Sequence, residues 1–222
     1  MDIDGFWDLI ERSGRETDTR RARVAWLERH LSGLSAEEIV DYDTFWTITT
    51  NRACTWDMYA LFCIVFDGPS TDGFEYFVNW LVSLGRETFE MVVDRPDRVV
   101  ELPEVEHLRE LQRSFFRGYR RTWRSEDGAF RLVRIALRRR EIWPGEVYPG
   151  YEALGYVTFD PYLKVTGFET DHLGEAVRAR GVIGKFPFVT VNDEPDGEEW
   201  DFGDEAEIAR RLPLVARRYD SS

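Results

Sequence analysis

Asp57 and Arg86 are charged residues set inside apolar stretches, TWDMYALF and SLGRETFE. A carboxylate and a guanidinium so placed must be satisfied, and pairing with each other is the cheapest way to do it. Such a pair either ties two helices together or faces a ligand, with Asp57 as the acid or base and Arg86 as its charged partner. Near them in sequence, Trp56, Tyr59, Tyr76 and Trp80 offer flat rings that either stack on a small molecule or fill a helical core.

Two of the three histidines close an E-x-x-H unit, Glu104 to His107 and Glu169 to His172. Di-iron carboxylate bundles use that unit twice because positions i and i+3 share one helix face. Here the second copy falls in a glycine-broken stretch and no bridging glutamates stand out, so the expectation is surface residues, with no metal and no cofactor. The stretch NDEPDGEEWDFG has oxygen-bearing residues where a calcium loop needs them, but Gly203 stands at the twelfth position, which must supply a bidentate Glu. Nucleophile-elbow, P-loop and dinucleotide fingerprints are absent from the sequence.

The charge is segregated. The chain carries a net charge of -13, which disfavours general affinity for nucleic acid or an anionic membrane. Yet residues 104–140 hold eleven arginines against five acids, and residues 193–207 hold nine acids and no base. Arg109, Arg113, Arg117, Arg120 and Arg124 recur on one side of a helix expected over 104–124, a face able to bind carboxylates or phosphates. It is equally readable as a solvated face, or as the surface on which the acidic 193–207 segment folds back.

The elements that must position these groups are mostly helices. At 222 residues, 43% hydrophobic and 32% charged, the chain suits a soluble globular protein with a sizeable core. Apolar residues at helical spacing mark helices over 6–12 and 18–31. Ser35 and Glu38 form a capping box for a helix from 36 to about 51. The run MYALFCIVF predicts a helix enclosed at the centre of a bundle, and it is too short to cross a bilayer. Phe74, Phe77, Leu81 and Leu84 form a core stripe on the next helix, with Asp72 as N-cap, and Gly85 ends it before a restart over 86–93.

Another basic element is expected at 129–141. Beyond 145 the sequence breaks at Gly and Pro, and Gly155 to Phe159 and Phe186 to Val191 have strand composition. A last helix is expected from about 204 to 218. Cys54 and Cys63 would lie on opposite faces of a helix, which excludes local pairing. The opening residues lack a basic n-region, consistent with a cytoplasmic chain.

Five phrases, FWDLIERS, SAEEIVDYDTFW, TWDMYALFCIVFDG, STDGFEYFVNWLVSLGRETFE and DRPDRVVE, resemble in order and spacing a bacterial family known only as a domain of unknown function. Its members carry FWxLIE and DGFxYFxxWLxxxGRxxFE motifs, and the likeness covers residues 1 to about 104. Asp67-Gly68-Pro69-Ser70 departs from the Gly-Gly-Cys-type turn usual there. The resemblance implies a helical fold and recurring polar positions at Asp57, Asp72 and Arg86, and it implies no reaction.

The sequence therefore predicts a mainly α protein, a multi-helix bundle with a small C-terminal α+β extension of short strands. Residues 1–104 form the family-like part and 105–222 the basic helix and extension. The leading functional expectation is a non-catalytic binding or accessory protein, of toxin-neutralising or enzyme-accessory type, meeting a protein partner through charged surfaces. The alternatives are a small-molecule enzyme using Asp57 and Arg86 in an aromatic pocket, less readily a di-metal carboxylate site, and arginine-mediated binding of phosphate or nucleic acid.

Overall fold

A computed structural model describes residues 1–66, 70–111, 146–168, 170–186 and 194–219. The chain divides into two compact units, one of Met1–Asp97 with Gly150–Ser222 and one of Arg98–Pro149.

In the larger unit, α1 (Ile3–Arg15), α2 (Arg20–Leu31) and α3 (Ala36–Ala53) begin at Asp2, Thr19 and Ser35, whose side chains each accept a hydrogen bond from a first-turn N–H. The capping box read from sequence is complete: Glu38 N–H reaches Ser35 Oγ, and Glu38 Oε2 accepts from Ser35 N–H at 3.0 Å. Helices α4 (Trp56–Phe66), α5 (Thr71–Ser83) and α6 (Arg86–Asp94) follow. Gly85 stands between the last two at φ 94°, a left-handed setting that glycine adopts without strain.

Helix α3 is the hub. It meets α1 and α5 on one side and, further along the chain, α8 (Phe159–Thr166) and α9 (Thr170–Ala179) on the other. An aromatic core runs from α3 through its neighbours: Phe6 of α1 lies 5.1 Å from Tyr42 of α3, Trp7 of α1 lies 5.6 Å from Phe89 of α6, and Phe62 of α4, then Phe77 and Trp80 of α5, follow one another at 5.5 and 5.7 Å. The second contact builds a smaller core from Ile39, Val40, Tyr162, Leu173 and Val177. Each such ring or branched side chain contributes about 1.5–3 kcal/mol when withdrawn from water, which is why the crowded aromatics of α5 serve packing. Phe74, Phe77 and Leu81 are fully buried as the stripe requires, with Leu84 half-buried at its end.

Four expectations change. The cap of α5 is Ser70, whose Oγ accepts from Gly73 N–H at 3.2 Å, and Asp72 sits inside the first turn, where its charge complements the helix dipole. Helix α4 is not enclosed: Met58, Leu61, Phe62 and Val65 are buried, while Trp56, Tyr59, Cys63 and Ile64 are half-buried. The strand expected at Gly155 to Phe159 is instead a 3-10 turn, Glu152–Tyr156, running into α8; it seats Leu154 on α5 so closely that a Cβ on Gly155 would come within 2.9 Å of Asn79 Nδ2. Helix packing, not β pairing, decides a segment whose composition suits both. Among the described residues the one β-type contact is an isolated parallel bridge between Thr55 and Asp196; residues 187–191 of the second expected strand lie outside them.

The final helix is two, α10 (Glu205–Arg211) and α11 (Pro213–Tyr219), because Pro213 lacks the N–H needed to continue the first and suits the first position of the second. Leu212 and Val215 at this joint are fully buried.

The 3-10 turn Pro96–Glu101 includes Arg98, where the smaller unit starts, and leads into helix α7 over residues 103–111, with Val99, Val100, Leu102, Val105 and Leu108 buried. The helix predicted over 104–124 is thus present as far as it is described. The basic element at 129–141 lies outside the described residues.

The capping assignment is testable by urea denaturation. Ser70→Ala should cost about 1 kcal/mol and Asp72→Ala about 0.3–0.5 kcal/mol. The opposite ranking would restore Asp72 as the cap.

Candidate functional site

The first turn of α4 brings Trp56, Asp57 and Tyr59 to the surface. Thr55 begins the turn, with its Oγ1 accepting from Met58 N–H at 3.2 Å, and the period of the helix then turns Met58 and Leu61 inward and Trp56 and Tyr59 outward. Over these residues lies the acidic segment 194–204. It is attached by backbone: Asp196 N–H donates to Cys54 C=O at 2.8 Å, and Trp56 N–H donates to Asp196 C=O at 3.0 Å. Gly197, at φ 94°, turns the segment so that Trp200 and Phe202 come down on α4. Phe202 sits 6.3 Å from Trp56, 5.8 Å from Tyr59 and 5.1 Å from Trp200.

Asp57 is the polar centre of this cluster. Its Oδ1 accepts from the Trp200 indole N–H at 3.0 Å and from Arg211 Nη1 at 3.3 Å. Arg211, from the end of α10, has a side chain only 12% exposed; it also donates through Nε to Glu207 at 2.9 Å and through Nη2 to Glu198, and it lies 5.5 Å from the Trp200 ring. Hydrogen bonds from Arg210 and Arg211 hold the Glu207 carboxyl down at about 2. Upstream, Asn51 clamps the approaching chain, donating to Ile183 C=O at 2.7 Å and accepting from Lys185 N–H at 2.8 Å, and Lys185 forms an ion pair with Asp196.

The pairing of Asp57 with Arg86 is therefore not formed. Arg86 opens α6, with its Nη1 2.7 Å from Asp4 Oδ1 and its backbone N–H on Glu11. The side chains of Asp57 and Arg86 are 40% and 45% exposed, so the desolvation that would force them together does not arise. The four aromatic candidates also separate. Trp56 and Tyr59 belong to the cluster under the acidic segment. Trp80 is a buried core ring stacked on Phe77. Tyr76 faces the 3-10 turn, where its C=O accepts from Tyr151 N–H at 2.8 Å and its phenol is pushed up to about 12 by burial and a hydrogen bond to Glu152. Burial, with Asp72 and Glu152 nearby, also raises Glu75.

Of the arginine face, Arg109 is 9% exposed on α7 and lies 3.9 Å from Glu106; Arg113, Arg117, Arg120 and Arg124 lie outside the described residues. Glu104 and His107 are exposed, His172 sits 3.6 Å from Glu175, and Glu169 lies outside the described residues. Among the described residues no group of three or more His, Cys, Asp or Glu is arranged to hold a metal ion. Cys54 and Cys63 form no disulfide; Cys63 shares a hydrogen bond with Tyr59 one turn earlier, and burial raises the Tyr59 phenol and the Cys63 thiol.

A second polar cluster, not singled out from sequence, lies between α1, α2 and α3. Arg23 donates to Ser13 Oγ at 2.8 Å and to Ile10 C=O at 2.7 Å, tying α2 to α1. Burial drives the Tyr42 phenol up, and its hydroxyl has no partner among the described residues. Next to it, Asp43 accepts from the buried Thr158 hydroxyl at 2.8 Å, and burial outweighs that bond to push the carboxyl up to about 6. Its only sequence signal is an acid within a helix that is otherwise well patterned.

The fold and this strapped aromatic site define a mainly α protein whose C-terminal segment is folded onto the α3–α4 junction. Residues 1–121 match the family described as "Protein of unknown function (DUF4240)", and the chain belongs to that family. No curated protein and no solved structure matches the chain. The α3–α4 junction lies inside the matched region, and the strapping segment lies outside it. No helix among the described residues is long and apolar enough to cross a membrane.

Two outcomes follow from these charges. Salt at 1 M shortens the reach of these charges to about 3 Å and should speed proteolysis near Trp200, whereas Arg211→Gln should be cut quickly at every salt level; salt-independent cleavage of the wild type would remove the ionic attachment. For Asp43, the folded carboxyl keeps its proton up to about 6 while the unfolded one releases it near ~4, so stability declines as pH rises between them. Asp43→Asn should raise Tm at pH 7.5, by about 2–4 °C for each kcal/mol relieved, and leave it unchanged at pH 4. A calorimetric gain equal at both pH values would rule titration out as the cause.

Proposed function

We propose that the chain is a cytoplasmic bacterial accessory protein that binds a protein partner through charged surfaces and carries out no reaction of its own. One observation carries this reading: Asp57 and Arg86, the acid and cation that chemistry in an aromatic pocket would use, sit apart, each bonded to groups of the same chain. Both donors meet Asp57 Oδ1, which commits that oxygen to holding the acidic segment and α10 in place, and no guanidinium from α6 is there to complete an acid–cation pair. The segregation of eleven arginines in 104–140 from nine acids in 193–207 supports surface recognition instead, since complementary potentials set partner choice and encounter rate. A toxin or a neighbouring enzyme with an acidic face is the kind of partner that the arginine-rich stretch suits.

The test is affinity capture from the native cell after nuclease treatment, with proteins and small molecules both identified. The expected result is a stoichiometric protein partner, reduced at least tenfold by Arg113→Glu combined with Arg117→Glu and Arg120→Glu. Capture of a small molecule in place of a protein, lost on Asp57→Ala, would overturn the reading in favour of an enzyme.

A further inference from the structure

The segment 194–204, EPDGEEWDFGD, carries six acids and no base, yet it is held on the larger unit like a bound peptide. Its backbone pairs with Cys54 and Trp56, its Trp200 indole N–H meets Asp57, and its Phe202 ring rests on Trp56 and Tyr59. Two of its acids, Asp196 and Glu198, meet Lys185 and Arg211, cations that flank it in sequence. Lys185 and Arg211 keep their places by separate means: the backbone of Lys185 is bonded to Asn51, and Arg211 precedes the fully buried Leu212.

The segment itself is lightly held. Of residues 194–204 only Pro195 is buried; Trp200 and Phe202 are half-buried, and the others are exposed. A stretch with so few buried apolar contacts opens at far lower free energy than the core does. Opening it uncovers a receiving surface made of the Cys54 and Trp56 backbone groups, Asp57, the Trp56 and Tyr59 rings, Lys185 and Arg211. The recognition chemistry is legible from its present occupant: strand-like backbone pairing, one indole donor, one further ring two residues on, and acids opposite two cations.

We propose that residues 194–204 are a tethered ligand, and that the α3–α4 junction with Lys185 and Arg211 binds an extended acidic segment of a partner protein bearing aromatic residues spaced as Trp200 and Phe202 are. The strap keeps the surface closed to weaker ligands, and a partner segment enters by replacing it. This deepens the binding reading above and rests on it.

The probe is a fluorescent synthetic peptide of sequence EPDGEEWDFGD, followed by anisotropy against the full chain at low salt. The full chain carrying Trp200→Ala with Phe202→Ala has a weakened strap and an intact receiving surface; it should bind the peptide at least tenfold more tightly than the wild type does. The same peptide with both aromatic residues replaced by alanine should lose most of that affinity. Equal binding by the two chains, or equal binding of the two peptides, overturns the proposal. Should the double variant melt differently from the wild type, hydrogen exchange within chain residues 198–204 of the wild type takes its place: excess aromatic peptide should accelerate it and the alanine peptide should not, and no acceleration by the aromatic peptide overturns the proposal equally. If the peptide fails while capture of a partner persists, this site alone is refuted; if capture fails while the peptide binds, the broader reading is.

Discussion

The Asp57 carboxylate holds together parts of the chain that sequence places far apart. It accepts from Trp200 and from Arg211, and Arg211 in turn reaches Glu198 and Glu207, so one guanidinium joins α4, the acidic segment and α10. Exposed ion pairs taken singly contribute about 0–1 kcal/mol. This set is stronger as a group because the guanidinium is nearly covered and three carboxylates share it. Without it the acidic segment would be kept in place, among the described residues, by two half-buried rings, Pro195, a pair of backbone bonds and the ion pair of Asp196 with Lys185.

That arrangement explains why the aromatics of the first hundred residues divide into two kinds. Rings turned toward α1, α3 and α5, such as Phe62, Phe77 and Trp80, are packed and withdrawn from water. Trp56 and Tyr59, on the outer side of α4, are covered by Phe202, and Tyr59 also packs 5.2 Å from Phe74 of α5. A surface within the family-matched region is thus completed by a segment beyond it.

Much of the helical scaffold was legible because its signals are local. The Ser35 capping box, the apolar spacing of α1 to α5 and the positive-φ glycine at Gly85 each depend on residues within a turn or two of one another. The misreadings also have local causes. Ser70 and Asp72 are both good N-caps two residues apart, and sequence alone does not rank them. Gly155 to Phe159 has strand composition, but burial of Leu154 and Val157 and the hydrogen bond from Thr158 to Asp43 favour a turn and a helix start.

Composition and periodicity by themselves determined a mainly helical chain, a core stripe on α5 and the segregation of arginines from acids, while five ordered motifs carried the resemblance to the family. The partners of the charges were settled only in three dimensions: Asp57 with Arg211, Arg86 with Asp4, and the acidic segment on the α3–α4 junction. The reason is physical. Helix formation and capping are fixed by near neighbours, whereas an ion pair between residues 57 and 211 depends on which helix faces pack together and how much water that packing leaves around each charge.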